Sequence, residues 1–299
     1  MKLNPIIKKD LQVSSRSMKL GWGVFGYEAI LTLTFLLAML VIKQESLYLY
    51  GSGNIYNSLV YLFPVIAISQ VCIIAFITPI ITASSISGEK ERQTFDVMLT
   101  TCMSPFSIVF GKVISAVLRI LFYVVASLPI MALSFVVGGL SWGTLLLFVI
   151  AVLILAVFSG SIGILCSALC RKSISAVILS YVIYGIIYGG TFIPLFLRLL
   201  SGVNNGGEAL IPLLINPGAF FEEFFMLVMT GDSLFTGNTF SKTDVGFVTY
   251  TLIQSHLWIF VSGLAIVCLS FLFMLIAAYK VNPMNSGGGP KPDKKKKVN

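Results

Sequence analysis

SGEKERQTFDVMLTTCMSPFSIVFGK, residues 87–112, is a polar interruption between two long apolar segments of the chain. In its first half charged residues alternate with apolar ones, and Ser104 followed by Pro105 favours an end and a restart of helical structure. A helix of this composition presents charge and apolar side chains to water together, as a docking surface for a soluble partner does. The stretch therefore predicts a cytoplasmic helix, continuing from or hinged at the preceding apolar segment, within residues 84–105.

The composition around this stretch is that of a membrane protein. Hydrophobic residues make up 57% of the 299-residue chain, charged residues only 11%, and the mean hydropathy is +0.96. A soluble domain carries about a quarter charged residues, whereas the apolar segments here are long enough to cross about 30 Å of hydrocarbon. We predict spans at about 22–42, 59–82, 108–137, 143–169, 174–197 and 250–279. The expected fold class is an all-α polytopic membrane protein, with one transmembrane domain over residues 1–280 and a flexible basic cytoplasmic tail over 281–299.

Lysine and arginine predict the orientation of these spans, because they are enriched in short cytoplasmic loops. Sixteen of the 20 lie in segments that the topology places inside, against three outside, Lys43, Arg198 and Lys242. We therefore expect both termini in the cytoplasm and the protein in the cell membrane. The net charge of +8 is explained by this bias and by attraction to anionic membrane lipids, so no nucleic-acid partner is expected.

Two elements are predicted outside the spans. Residues 4–20 have the pattern of an amphipathic helix in the cytoplasmic interface, although a basic flank that only orients the first span would give a similar composition. The external region, residues 198–248, is expected to form short re-entrant or interfacial helices. A seventh span there would place the basic tail outside, against the positive-inside bias.

The run GEKERQTFDVMLTT, residues 88–101, with the Ser-Pro and Phe-Gly-Lys that follow it, resembles the signature of ABC-2 type transporter permeases. In that family a Glu-rich start, a Gly-Thr pair, a Leu-Leu-Thr-like run and a closing Gly-Lys link the second and third spans. The interfacial N-terminal helix, the six spans and the short external helices before the last span also match. One residue departs from the pattern: Gln93 stands where Gly is usual, which affects the local backbone turn.

The resemblance implies a permease subunit of an ATP-binding cassette (ABC) exporter. Two permease subunits, identical or homologous, would dimerise to form the translocation pathway, and each would dock a separate ATP-binding subunit. A helix over Glu89–Met103 would transmit nucleotide-driven closure to the spans, with Phe95, Met98 and Leu99 seated in an apolar cleft of the ATPase. The implied coupling interface consists of Glu89, Glu91, Arg92, Thr94, Phe95, Asp96, Met98 and Leu99.

The chain itself carries no signature of catalysis. Gly111-Lys112 is followed by Val113 and lacks the preceding Gly-rich turn of a phosphate-binding loop. His256 is the single histidine of the chain, which excludes a multi-His metal site beside Glu222-Glu223. We therefore expect no catalytic, cofactor-binding or metal site here, and we expect ATP and Mg²⁺ to bind in the partner subunit.

Four residues within the spans are candidates for the pathway or the dimer seam. Glu28 is costly in a membrane unless it is paired or faces a polar cavity, so either a buried pair with Arg119 or a pathway position would explain it. Tyr181, Tyr184 and Tyr188 follow one another at helical spacing beside glycines that permit close helix approach. They fit helix packing, a dimer seam or a substrate-lining surface.

Two other functional classes remain as alternatives from the sequence. A stand-alone secondary transporter or channel is disfavoured because charged residues within the spans are few and no inverted repeat is visible. An intramembrane enzyme is disfavoured by the lack of a second histidine. The signature leaves peptides, lipids, ions and small drugs all open as cargo.

Overall fold

The computed structural model describes residues 16–48, 59–95, 104–138, 141–201, 207–231 and 257–282, together with residues 7, 8, 10, 12 and 13. Regular structure in these residues is entirely helical. The helices are α1 (Met18–Tyr48), α2 (Leu62–Glu91), α3 (Pro105–Gly138), α4 (Trp142–Leu169), α5 (Ser173–Gly190), α6 (Ile193–Ser201), a 3-10 helix (Gly207–Ile215), α7 (Pro217–Thr230) and α8 (Leu257–Val281).

Six helical segments of the described chain are long and apolar enough to cross a membrane. They are α1, α2, α3, α4, α5 with the start of α6, and α8. The predicted all-α fold with six transmembrane helices is therefore confirmed. The tail beyond residue 282, residues 202–206 and 232–248 of the external region, and the start of the sixth predicted span up to residue 256 lie outside the described residues.

Helix α2 is longer than the span predicted at its position. It runs without a break from Leu62 to Glu91, and 30 residues of α-helix extend about 45 Å where the hydrocarbon is about 30 Å thick. The first part of the predicted cytoplasmic segment is thus the end of the membrane helix itself. A rigid extension of this kind places its last two turns beyond the apolar core of the bilayer.

The fifth predicted span is divided into two helices. Helix α5 ends at Gly190, and α6 begins at Ile193 with Pro194 in its first turn. A proline ring collides with the carbonyl four residues earlier in a continuous helix, and that carbonyl belongs to Gly190. Pro194 therefore explains why one helix does not cover residues 174–197.

Helix α4 is the central helix of the bundle. Within its most apolar window 56% of the residues are buried inside the protein, compared with 11% for α1 and 17% for the fifth span. A small-residue face permits this packing: a methyl group at Gly163 would overlap Thr82 of α2, whose Cβ would lie 2.7 Å away. Close backbone approach at small residues is the usual way for membrane helices to associate.

Helix α7 lies against the bundle through an aromatic face. Phe220, Phe221, Phe224 and Phe225 are all buried, in one cluster with Phe148 of α4. Asn216 is the N-cap of this helix: its Oδ1 accepts from Gly218 N at 2.7 Å, and its Nδ2 donates to the Tyr188 carbonyl at 3.1 Å. These four phenylalanines therefore belong to the hydrophobic core of the chain itself.

Candidate functional site

Helix α2 closes at its carboxyl end with a Schellman motif. Thr94 N donates to the Glu89 carbonyl at 3.0 Å and Gln93 N to the Lys90 carbonyl at 3.2 Å, which is the paired pattern of that motif. Gln93 has a φ of 57°, in the left-handed region that glycine adopts at lowest cost. The turn typical of the family's glycine is thus made by glutamine.

This turn contradicts one continuous helix over Glu89–Met103. Helix α2 ends at Glu91, and helical structure returns only at Phe95. The physical reason is the left-handed Gln93, since a residue of positive φ cannot continue a right-handed helix. Residues 96–103, with the predicted coupling residues Asp96, Met98 and Leu99, lie outside the described part of the chain.

Glu89 turns inward to a buried lysine. Lys112 Nζ lies 2.8 Å from Glu89 Oε1 and 3.4 Å from Asp10 Oδ2, and the Lys112 side chain is only 4% exposed. Asp10 also accepts a hydrogen bond from Ser115 Oγ at 3.1 Å. One cation therefore joins three parts of the chain: the N-terminal segment, α2 and α3.

Lys90 binds the carboxyl end of α4. Its Nζ donates to the carbonyls of Ser167, Ala168 and Cys170. The last carbonyls of a helix have no partner within the helix and form the negative end of its dipole, so an ammonium group is well placed there. The same Nζ lies 5.6 Å from the centre of the Phe95 ring, within the range of a cation–π contact.

Glu91 binds the amino end of α5. Its two carboxylate oxygens accept from Ser173 N at 3.0 Å and from Ser173 Oγ at 2.7 Å. The residue at the N-cap position, Lys172, makes no side-chain cap. Because carboxylates stabilise the positive end of a helix dipole, Glu91 supplies from α2 the cap that α5 lacks.

These contacts converge on one short segment. We call Glu89, Lys90, Glu91, Phe95 and Lys112 the hub. Three consecutive residues of α2 bind three different helices, α3, α4 and α5, each through a charge of the sign that its partner requires. A displacement of this segment must therefore be shared by most of the bundle.

A serine of α4 enters the hydrogen-bond ladder of α2 just before the hub. Ser167 Oγ accepts from the backbone N–H groups of both Ile86 and Ser87 at 2.8 Å. Amides inside a helix ordinarily donate within the helix, and a side chain inserted into that ladder is a recognised cause of bending. The contact holds the last turn of α2 against α4 through its backbone.

The predicted coupling residues separate into two groups. Glu91, Arg92 and Thr94 are exposed, together with Gln93. Phe95 is 8% exposed and belongs to an apolar cluster with Val109 of α3, Ala168 of α4 and Val281 of α8. The sequence suggested an exposed Phe95, whereas the ring is enclosed by this apolar cluster of the chain itself.

The candidate tyrosines lie along the inner side of α5. Tyr181 Oη donates to the Phe76 carbonyl of α2 at 2.6 Å. Tyr184 is buried and stacks on Tyr188, with 5.7 Å between ring centres. These contacts are made within the chain, which places Tyr184 away from any surface for a second subunit.

Glu28 does not pair with Arg119. The two salt bridges among the described residues both involve Lys112, and Glu28 Oε1 is buried without a hydrogen-bond partner there. Glu28 borders a shallow groove of about 410 Å³ on the outer face of α1, which Phe25, Leu33 and other residues line. A carboxylate on an outward groove fits the interface or pathway hypothesis better than the buried pair.

Sequence reasoning missed the internal partners of the signature. Lys112 was read as the closing residue of the motif, and Ser167 and Ser173 were not singled out. The opposite charges at the two ends of the motif, Glu89 and Lys112, were a usable signal for the first contact. Nothing local marks Ser167 or Ser173, since serines are common in membrane helices and only the packing of α4 and α5 brings them to α2.

The similarity to known proteins covers nearly the whole chain. The family model described as ABC-2 family transporter protein matches residues 5–282. No curated protein is significantly similar to the chain. Because the match includes all six membrane-spanning segments and the hub between the second and third of them, the chain belongs to the ABC-2 family of transporter proteins, as a multi-pass membrane permease of an ABC transporter.

Proposed function

We propose that this permease pairs with a second permease subunit, couples to a separate ATP-binding subunit and exports its cargo across the cell membrane. ATP and Mg²⁺ bind in that partner, and both termini of the permease lie in the cytoplasm. The observation that carries the proposal is the hub, because it joins one short exposed turn to α3, α4 and α5.

The surface that meets the ATPase is the exposed turn Glu91–Thr94, continued by the predicted contact residues Asp96, Met98 and Leu99. In this scheme Glu89 and Phe95 have a different task from the one their sequence context suggested. They anchor the turn to the bundle, Glu89 through Lys112 and Phe95 through the apolar cluster. A displacement of Arg92 by the ATPase is then passed to the helices through these contacts.

The hub has the physical properties that transmission requires. Its charges are bound to helix ends and to each other, so a displacement of α2 costs several charge-assisted hydrogen bonds unless the neighbouring helices follow. Packed elements of this kind switch between discrete arrangements instead of deforming continuously. Movement of the turn therefore moves the cytoplasmic ends of α3, α4 and α5 together.

The second permease subunit is proposed to pack on the faces of α1, α2 and α5 that the single chain leaves open. On α5, Ile178, Val182, Gly185 and Gly189 follow one another on an exposed stripe. A methyl group at Gly185 or Gly189 would meet nothing within 4 Å. Two glycines separated by three residues form the small-residue pattern at which membrane helices dimerise, and Glu28 lies on the open face of α1.

Co-purification with the cognate ATP-binding subunit tests the proposal. Arg92→Glu reverses an exposed charge whose side chain makes no hydrogen bond or salt bridge with a described residue, so it should reduce ATPase capture and cargo-stimulated hydrolysis about tenfold. The matched control is Lys280→Glu, the same change at an exposed position on the cytoplasmic end of α8, and it should behave as the wild type. If no ATPase co-purifies, or if Arg92→Glu retains full coupling, the proposal fails.

A further inference from the structure

A cavity of about 780 Å³ lies beside the hub, between the N-terminal segment, α2 and α3. Asp10 and Leu20 belong to one wall, Ile81 and Ser85 of α2 to the second, and Arg119 of α3 to the third. Its volume is within the range of ligand sites in proteins, and it is partly open to the surface. The hub residues Glu89 and Lys112 line only one end of the cavity, and the role of the other end is still to be explained.

Two side chains of α3, Arg119 and Tyr123, keep unused hydrogen-bond donors at the deeper end. The one hydrogen bond of the Arg119 guanidinium within the described residues runs from Nε to the Ser115 carbonyl of its own helix, at 3.3 Å. The guanidinium forms no salt bridge with a described residue. Tyr123 lies one turn further on and also lines the cavity, and its hydroxyl donates to no described group. An arginine carries five donors, so most of its capacity is left for a ligand.

Apart from Arg119, the charged groups lining the cavity are bound within the chain, except Arg92, which is exposed to solvent. Lys112 is bound by both Glu89 and Asp10, and Glu91 is held by Ser173 at the opposite end. Arg119 is therefore the cation with unmet bonding capacity among the cavity's buried and half-buried groups. Guanidinium groups bind phosphate through parallel hydrogen bonds, so the deep end has the chemistry of a phosphate site.

The depth of this site matches the headgroup layer of the inner leaflet. Counting about 20 residues of helix for the hydrocarbon from Leu62, the start of α2, reaches the level of Ile81, which lines the cavity beside Ser84 and Ser85. Arg119 thus lies near the boundary between lipid tails and headgroups. The phosphate of a lipid in the same leaflet lies at the depth of Arg119.

We propose that the cavity binds the headgroup of one anionic phospholipid of the inner leaflet, with its phosphate on Arg119 and a further oxygen on Tyr123. Asp10, Val13 and Ser17 line the outer wall over the bound headgroup, and Lys112, held by its two carboxylates, closes the cytoplasmic end. The lipid joins the N-terminal segment to α2 and α3 at the base of the hub.

Native mass spectrometry of the full chain in uncharged detergent tests this site, with phosphatidylglycerol and phosphatidylcholine titrated separately. One phosphatidylglycerol should be retained about tenfold more tightly than phosphatidylcholine, the range of a charge-assisted bidentate contact. Arg119→Gln should abolish that preference, and Tyr123→Phe should weaken it a few-fold. Lys280→Gln removes a cytoplasmic charge outside the cavity and should leave the preference unchanged.

Three outcomes overturn the proposal. The first is an equal affinity of the wild type for the two lipids, and the second is an equal loss of preference in Arg119→Gln and Lys280→Gln. The third is displacement of phosphatidylglycerol by inorganic phosphate at the same concentration, which would assign the site to a free anion. Should Arg119→Gln fail to fold, a Tyr123→Phe protein with unaltered preference refutes the site by itself. No ATPase is present in these measurements, so they succeed or fail independently of the proposed coupling.

Discussion

Replacing Lys112 by methionine should destabilise the protein more than any other single charge removal at the hub. Methionine keeps the length and apolar stem of lysine but removes the ammonium that Glu89 and Asp10 share at 2.8 and 3.4 Å. The two carboxylates then lose the one cation that both of them contact, and they repel each other. Removing one partner of a buried ion pair costs about 3–5 kcal/mol. Because both carboxylates keep some contact with water, we expect the lower end, about 3 kcal/mol.

The contact distances also predict how strongly the related variants are destabilised relative to one another. Glu89→Gln leaves Lys112 paired with Asp10, so it should cost about 1–2 kcal/mol, the value of one charged hydrogen bond. Asp10→Asn weakens only the longer contact and should cost less than about 1 kcal/mol. The double variant Glu89→Gln with Lys112→Met leaves one carboxylate in place of two, so its cost should fall short of the sum by about 1 kcal/mol.

The assay is reversible unfolding of the purified chain in mixed micelles, followed by circular dichroism. Lys280→Met is the control, because Lys280 is exposed and makes no described ion pair, and it should lie within about 0.5 kcal/mol of the wild type. If Lys112→Met costs no more than this control, or if the double variant is strictly additive, then the hub is not an energetically coupled unit and the reasoning is refuted.

Three further changes test the fold and the hub. Gly163→Ala should destabilise by about 1–3 kcal/mol, since its methyl group overlaps Thr82, whereas Gly143→Ala in the same helix should be neutral; equal thermal stability of the two would contradict the packing. Gln93→Gly should raise stability by about 0.5–1 kcal/mol because φ is positive there, measured by the same unfolding assay, and a loss of stability would argue against the turn. Glu91→Gln should accelerate hydrogen exchange of the backbone amides in the first turn of α5, because the Glu91 carboxylate accepts from Ser173 N there. It should slow the exchange of no other amide, and unchanged exchange in that turn would exclude the cap.

The family and the span count were accessible from the sequence because both depend on local properties. Hydropathy over about 20 residues reports membrane insertion, and the signature at 88–101 has an ordered set of residue types. The extent of α2 and the division of the fifth span were less accessible. Pro194 was a visible signal for the break near Gly190, while the end of α2 depended on a glutamine in a glycine conformation.

The roles of individual signature residues could not be read from their order alone. Alternating charged and apolar residues predict that a segment has two kinds of contact, and they do not state which side chains turn to the protein and which to a partner. The structure assigns Glu89 and Phe95 to the bundle and leaves Arg92 and Thr94 exposed. That assignment depends on the positions of three neighbouring helix ends: the start of α3 and the ends of α4 and α8.

The sequence by itself determined that this chain is a six-span permease of the ABC-2 family, because membrane insertion depends on the hydropathy of each segment and the motif is an order of residues within one segment. Only the tertiary structure decided what the polar interruption between the second and third spans does. Glu91 accepts a hydrogen bond from Ser173, more than 80 residues away along the chain. Glu89 of α2 forms a salt bridge with Lys112 of the next helix, α3. Such contacts are set by helix packing, in which small residues such as Gly163 bring backbones together, and packing is a property of the assembled bundle.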